Sequence, residues 1–130
     1  MPYWAAIRAT EVNMRVGPSE EYRISWVYHR QHLPLKVLRK MEGWRLVEDQ
    51  DGARGWMNAR FLTPLRSAVV IGTGPAEMRD HGDPAARLLW RLAPGVVGQL
   101  GDCADGWCAL TVGQRVGFVS ESRLWGDGAP

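Results

Sequence analysis

The second half of this chain repeats the first half in diverged form. The aligned positions keep their residue type, and the offset between them drifts only from 64 to 62 residues: Met14 with Met78, Arg15 with Arg79, Trp26 with Trp90, Trp44 with Trp107, Gly55 with Gly117, Leu62 with Leu124. A repeat of this period indicates two tandem copies of one small structural unit, each with its own buried face.

Composition is consistent with two units of roughly 60 residues each. The chain has 130 residues and 7 Trp, and each indole can organise a thin core that aliphatic residues alone would not fill. A net charge of +2 comes from Arg and Lys interspersed with Asp and Glu, which argues against a nucleic-acid partner. No apolar run approaches the ~18 residues of a membrane span.

The amino terminus predicts no export signal in the chain as given. A basic segment followed by a long apolar segment is absent before Glu11. A signal removed during maturation would leave the same appearance, so an envelope location and a cytoplasmic one both stay open.

Short apolar segments separated by Pro and Gly predict an all-β fold. The first repeat is predicted to have five strands, at residues 12–16, 24–28, 35–40, 44–48 and 54–57, followed by a 3₁₀ turn at 58–62. The second repeat is predicted to have its strands at residues 77–80, 88–92, 96–100, 107–111 and 116–119. Residues 63–67 are the one candidate linker, which gives domains at 5–63 and 68–126.

Strand parity predicts which faces the repeated Trp residues occupy. Trp44 precedes Val47 by three residues, and Trp107 precedes Leu110 by three. Side chains an odd number of positions apart point to opposite faces of a strand. If the aliphatic residue is in the core, the Trp lies on the outer surface. We favour this interpretation over a buried Trp.

The two cysteines, Cys103 and Cys108, flank four residues that can form a hairpin loop. They would then face each other across the strands at a separation that suits a disulfide. The first repeat has Lys40 and Arg45 in their places, so the fold does not require the bridge. A disulfide and a reduced pair both remain open. No further ligands stand at a spacing that would complete a metal site.

Three segments of the first repeat together resemble the bacterial SH3-like (SH3b) domain pattern. They are Val-Asn-Met-Arg-Val-Gly-Pro at 12–18, Gly-Trp-Arg-Leu-Val at 43–47 and Asp-Gly-Ala-Arg-Gly-Trp at 51–56. The tandem arrangement is similar to that of proteobacterial SH3-like proteins, which typically carry a signal peptide. The resemblance implies two small, partly open barrels of about five strands, a location in the cell envelope, and recognition without catalysis.

By this resemblance a ligand groove in the first copy would be lined by Tyr22, Trp44 and Phe61. Tyr28 and Trp56 would flank these aromatics, with Asn13 and Glu20 as neighbouring polar groups. The second copy has Ala86, Leu92 and Arg123 at the positions of Tyr22, Tyr28 and Phe61 and keeps only Trp107. We therefore expect one binding barrel and one supporting barrel. The alternative is that Tyr22 and Phe61 only cap the barrel ends.

The sequence predicts no catalytic residues, no cofactor and no metal site. Cys108 and His81 could be imagined as a nucleophile and its base, but Cys103 is the better partner for Cys108. The expected function is non-catalytic binding of peptidoglycan or of a protein or peptide partner. The alternative is a structural or assembly protein whose exposed aromatic residues form an oligomer or scaffold interface. The sequence does not give the oligomeric state.

Overall fold

The computed structural model describes all residues from 1 to 130, and its regular secondary structure is almost entirely β. It divides into two compact units, Met1–Leu65 and Arg66–Ala129, which are described separately below. The helices are single 3₁₀ turns, Ala59–Phe61 and Glu121–Arg123. No helix has the length and apolar character needed to cross a membrane.

The first unit is a seven-stranded antiparallel sheet in the order β3-β2-β6-β5-β4-β1-β7. Its strands are β1 Tyr3–Ile7, β2 Val12–Arg15, β3 Ile24–Tyr28, β4 Pro34–Met41, β5 Trp44–Glu48, β6 Arg54–Asn58 and β7 Leu62–Thr63. The five predicted strands correspond to β2–β6. Two short strands at the ends of the unit, β1 and β7, add to them and pair with each other.

The second unit repeats this order as β10-β9-β13-β12-β11-β8-β14. Its strands are β8 Ser67–Val70, β9 Ala76–Arg79, β10 Leu88–Leu92, β11 Val97–Ala104, β12 Trp107–Val112, β13 Arg115–Ser120 and β14 Leu124–Trp125. Each unit places a 3₁₀ turn directly before its last strand. The predicted fold of two tandem SH3-like barrels is confirmed.

Strand parity sets the core of each unit. Val47 in β5 and Leu110 in β12 are fully buried, as predicted for the residue three positions after each Trp. In the first unit Val47 is accompanied in the core by Ile7, Leu35 and Met57, all inaccessible to solvent. The buried cluster of the second unit comprises Ala68, Val70, Ala76, Met78, Leu92, Cys108, Leu110, Val119 and Leu124.

Glycine allows the strands to approach closely at the repeated Gly55 and Gly117. A Cβ atom at Gly55 would lie 2.4 Å from the Cγ of Met14 and 3.0 Å from the carbonyl oxygen of Arg15. A Cβ atom at Gly117 would lie 2.4 Å from the Cγ of Met78. The methionine of one strand therefore packs directly on the bare backbone of its neighbour in both units, which explains why both repeats have Gly at this position.

The two cysteines close the hairpin between β11 and β12. Cys103 and Cys108 are directly paired across these strands and form a disulfide. Of the two outcomes left open by the sequence, the structure has the bonded pair. In the first unit the equivalent hairpin places Lys40 opposite Arg45.

Candidate binding groove

Three separate segments of the first unit meet at the 3₁₀ turn that contains Phe61. The loop between β2 and β3 carries Glu20 and Tyr22, and the start of β5 carries Trp44. The Nη2 atom of Arg60 lies 4.0 Å from Oε1 of Glu20, which joins the loop to the turn. The backbone N–H of Ala59 donates to the carbonyl of Gly43 at 2.8 Å, which joins the turn to the residue before Trp44.

The loop between β2 and β3 is held in shape by Arg15. Its guanidinium Nη1 donates to the carbonyl oxygens of Glu20 and Tyr22, both at 2.9 Å. The ring of Tyr22 lies over Gly17, where a Cβ would come within 2.5 Å of three ring atoms. These contacts explain why the Arg and Gly of the opening motif occur together. In the second unit Arg79 donates likewise to the carbonyl of Ala86.

The accessible side chains around the turn are aromatic and polar. Tyr22 is 49% exposed, and Trp44 and Phe61 are each half-buried. The guanidinium of Arg60 lies over the ring of Phe61 at 4.8 Å from its centroid, a cation–π contact that covers one face of that ring. Trp44 lies on the face of β5 opposite Val47, as expected. It is half-buried, and so less exposed than strand parity alone predicted.

Asn13 in the first unit is equivalent to Glu77 in the second unit. Asn13 pairs with Val27 across β2 and β3, just as Glu77 pairs with Arg91 across β9 and β10. In the second unit a cleft of about 260 Å³ is lined by Pro75, Glu77, Arg91, Trp107, Ser120 and Arg123. We call this concavity the Trp107 cleft. Three residues of its lining, Glu77, Trp107 and Arg123, stand at the positions that Asn13, Trp44 and Phe61 hold in the first unit.

Tyr28 does not lie in the groove, contrary to the expectation from the resemblance. It is 6% exposed, and its hydroxyl donates to Oδ2 of Asp49 at 2.7 Å. Burial, followed by this hydrogen bond to a carboxylate, raises the pKa of the Tyr28 hydroxyl well above its ordinary value of 10.0. The hydroxyl thus has a partner inside the protein, and Tyr28 contributes to the core.

Trp56 is also a core residue rather than a flanking groove residue. It is 9% exposed and pairs with Leu46 in β5 and Arg15 in β2. The guanidinium of Arg39 lies 5.9 Å from its ring centroid. Its neighbours on these strands leave little of the indole surface for a ligand. Of the seven residues predicted for the groove, the five with accessible surface are Asn13, Glu20, Tyr22, Trp44 and Phe61.

The sequence patterns did not predict the exposed apolar patch on and beside β3. Trp26 is 61% exposed and Ile24 is 40% exposed, and nearby Val16 and Tyr22 are 48% and 49% exposed. β3 is an edge strand of the sheet. The signal was available in the repeat itself, because Trp26 and Trp90 occupy equivalent positions. We call Val16, Tyr22, Ile24 and Trp26 the β3 patch.

The second unit has a less apolar version of the β3 patch. At the position of Val16 it has Asp80, and at that of Tyr22 it has Ala86. Trp90 is 45% exposed, and the guanidinium of Arg115 lies 3.9 Å from its ring centroid. The apolar character of this edge is therefore a property of the first unit.

The disulfide decides the chemistry available around Cys108. Cys108 is fully buried and bonded to Cys103, so it has no thiolate that could act as a nucleophile. The two sulfurs lie within 4.8 Å of a carboxylate oxygen of Glu121. A disulfide sulfur is not a thiolate ligand, so this group of three does not make a metal site.

Both units thus have the strand order of a small barrel and a 3₁₀ turn directly before the last strand. The profile of the bacterial SH3 domain family matches residues 8–64 and again residues 73–126. The chain belongs to the bacterial SH3 domain family, with two copies of the domain in tandem. No curated protein sequence matches it significantly.

Solved structures of similar fold include longer proteins. NlpC2 of Trichomonas vaginalis shares 12% identity at a TM-score of 0.43, with 96% of this chain and 48% of that chain covered. NlpC1 of the same organism shares 13% identity at a TM-score of 0.42, with 99% and 49% covered. An NlpC/P60 family protein from Bacillus cereus shares 10% identity at a TM-score of 0.42, with 95% and 56% covered. The chain spans about half the length of these proteins.

Proposed function

We propose that this protein is a non-catalytic recognition module of the bacterial cell envelope, which binds peptidoglycan or a protein partner through the groove of its first unit. The observation that supports this proposal is that the segments carrying Tyr22, Trp44 and Phe61 are joined at one 3₁₀ turn. Membership of a family often associated with the envelope supports the location. Aromatic faces suit both sugar rings and apolar peptide side chains.

The polar surroundings of these aromatics also support a binding role. Asn13 is half-buried, and Glu20 is exposed and salt-bridged to Arg60. A groove of apolar faces with a few placed polar groups is the usual composition of a specific ligand site. Residues that only capped the barrel would not need to be joined across three segments.

Cosedimentation with purified peptidoglycan tests the wall-binding form of this proposal. We expect the intact protein to pellet with the polymer and Trp44→Ala to weaken binding about tenfold, because aromatic side chains in pockets dominate binding energy. Tyr22→Ala is a second variant, since its exposed ring can be removed without opening the core. Trp90→Ala in the second unit is the matched control and should pellet as the intact protein does. Absence of pelleting by the intact protein would contradict wall binding.

The β3 patch favours a second candidate function, assembly of the protein into oligomers. An edge strand presents unpaired backbone N–H and C=O groups, and exposed apolar side chains on it favour pairing with another strand. Trp26 and Ile24 lie two positions apart on this strand, and both side chains are exposed. Two copies could then pair their β3 strands edge to edge.

Light scattering across a range of concentrations tests the assembly function. We expect a dimer at high concentration and a monomer for Trp26→Lys, because a charge on an edge strand opposes edge-to-edge pairing. Trp90→Lys is the matched control and should leave the dimer intact. A strictly monomeric protein at every concentration would contradict this function.

A further inference from the structure

The Trp107 cleft has a different chemistry from the groove of the first unit. Trp is kept at the centre, but the neutral residues around it are replaced by ionised ones. Glu77 stands at the position of Asn13, Arg91 at that of Val27 and Arg123 at that of Phe61. At these three positions the second unit therefore has charged side chains where the first unit has neutral ones.

The charges of this cleft sum to a positive site. Glu77 is already paired, because its Oε1 lies 2.6 Å from Nη2 of Arg79. Arg91 lies directly across from Glu77 in the strand register, is exposed, and forms no ion pair within the protein. The positive charge of Arg91 therefore faces the cleft without compensation from a carboxylate.

Arg123 adds a second positive charge that is held in place by backbone carbonyls. Its Nε donates to the carbonyl of Ile71 at 2.8 Å, and its Nη1 and Nη2 donate to those of Pro75 and Gly74. Carbonyl oxygens carry no net charge, so these bonds orient the guanidinium without neutralising it. A guanidinium has five N–H donors, so two remain for a ligand. A group fixed in this way loses little side-chain entropy on binding.

We propose that the Trp107 cleft binds a short peptide through its terminal carboxylate. Arg91 and Arg123 supply charge-assisted hydrogen bonds to the carboxylate, and the half-buried indole of Trp107 contacts the adjoining apolar side chain. A volume of about 260 Å³ is small for a ligand site and suits one or two residues of a peptide. This proposal goes beyond the function of the first unit and does not depend on it.

A titration of the full chain with N-acetyl-Ala-Leu, followed by ¹⁵N NMR, tests the proposal. We expect the indole N–H of Trp107 and the Nε–H of Arg91 to shift, and the same peptide with a carboxamide terminus to bind about tenfold more weakly, since it lacks the charge. Raising the salt concentration should weaken the binding of the carboxylate form only.

The matched variants are Arg91→Gln and Arg87→Gln. Both remove one exposed positive charge from the second unit, but Arg87 lies outside the cleft and 3.9 Å from Asp80. Arg91→Gln should weaken binding of the carboxylate form about tenfold, and Arg87→Gln should leave it unchanged. Equal binding of the amide, equal effects of the two variants, or shifts confined to the first unit would each overturn the proposal. Trp44→Ala should not alter this titration, which keeps its outcome separate from that of peptidoglycan binding.

Discussion

Asp49→Ala should lower the free energy of unfolding of the first unit by about 3 kcal/mol, because it removes several hydrogen bonds to a buried carboxylate. Asp49 is 7% exposed, and its Oδ2 accepts from the Tyr28 hydroxyl. Its Oδ1 accepts from the backbone N–H groups of Asp51 and Ala53 at 2.9 and 3.0 Å. One side chain thus holds both the turn between β5 and β6 and the core hydroxyl.

Urea unfolding followed by NMR signals of the first unit measures this loss. Asp51→Ala is the matched control, because Asp51 is exposed and contributes its backbone N–H, which the variant keeps. The control should change the unfolding free energy by less than about 0.5 kcal/mol. A loss below about 1 kcal/mol for Asp49→Ala would show that the Tyr28–Asp49 contact is not structural.

The same contact predicts a dependence on alkaline pH. The pKa of Tyr28 is higher in the folded protein than in the unfolded chain, so the folded state holds the proton more tightly. Its contribution to stability is fully present below about pH 10, the unfolded value, and is lost as the pH rises above it. Tyr28→Phe should remove this component of the alkaline loss, measured as the difference in unfolding free energy from the intact protein between pH 9 and pH 11.

The second unit shows that the fold does not require this polar pair. Leu92 stands at the position of Tyr28, and Val112, the last residue of β12, stands at the position of Asp49. Leu92 is buried, and Val112 packs against the same apolar cluster. The first unit thus fills these core positions with a hydrogen-bonded pair and the second with apolar side chains. The two arrangements can be of similar stability when every buried polar group has its partner.

The pair also explains why the sequence misplaced Tyr28. Strands were predictable because Pro and Gly mark their ends and because Val47 and Leu110 follow the parity of a buried face. Burial of Tyr28 depended on a partner 21 residues away in a turn, and no local pattern indicates such a contact. The exposure of Trp26 likewise follows from the position of β3 at the sheet edge, which strand order in the folded unit decides.

Comparison of the two copies distinguishes residues with a shared structural role from residues whose chemistry differs between the units. Arg15 and Arg79 each donate to a loop carbonyl seven residues ahead, so their presence in both copies reflects a shared structural role. Phe61 and Arg123, by contrast, occupy equivalent positions in the 3₁₀ turns but differ in chemistry. Agreement at Arg15 and Arg79 thus reflects the scaffold, and the divergence between Phe61 and Arg123 falls on the surface for which we propose a different ligand in each unit.

Gly55→Ala and Gly117→Ala should each destabilise their own unit by about 1–3 kcal/mol, because the added methyl group overfills a close-packed core. Each Cβ would meet a buried methionine Cγ at 2.4 Å and a backbone carbonyl oxygen at 3.0 or 2.9 Å. The methionine side chain can shift to another rotamer, but the carbonyl belongs to the neighbouring strand and can move only with it. The two variants should therefore have similar effects, each confined to the NMR signals of the altered unit in urea unfolding.

Gly43→Ala is the control for these variants. A Cβ at Gly43 would meet no atom within 4 Å, so the substitution adds a methyl group without adding a contact. Its unfolding free energy should stay within about 0.5 kcal/mol of that of the intact protein. If Gly55→Ala were as well tolerated as Gly43→Ala, the close approach of β6 to Met14 would not limit packing. The Gly shared by the two copies would then need an explanation other than the space it leaves.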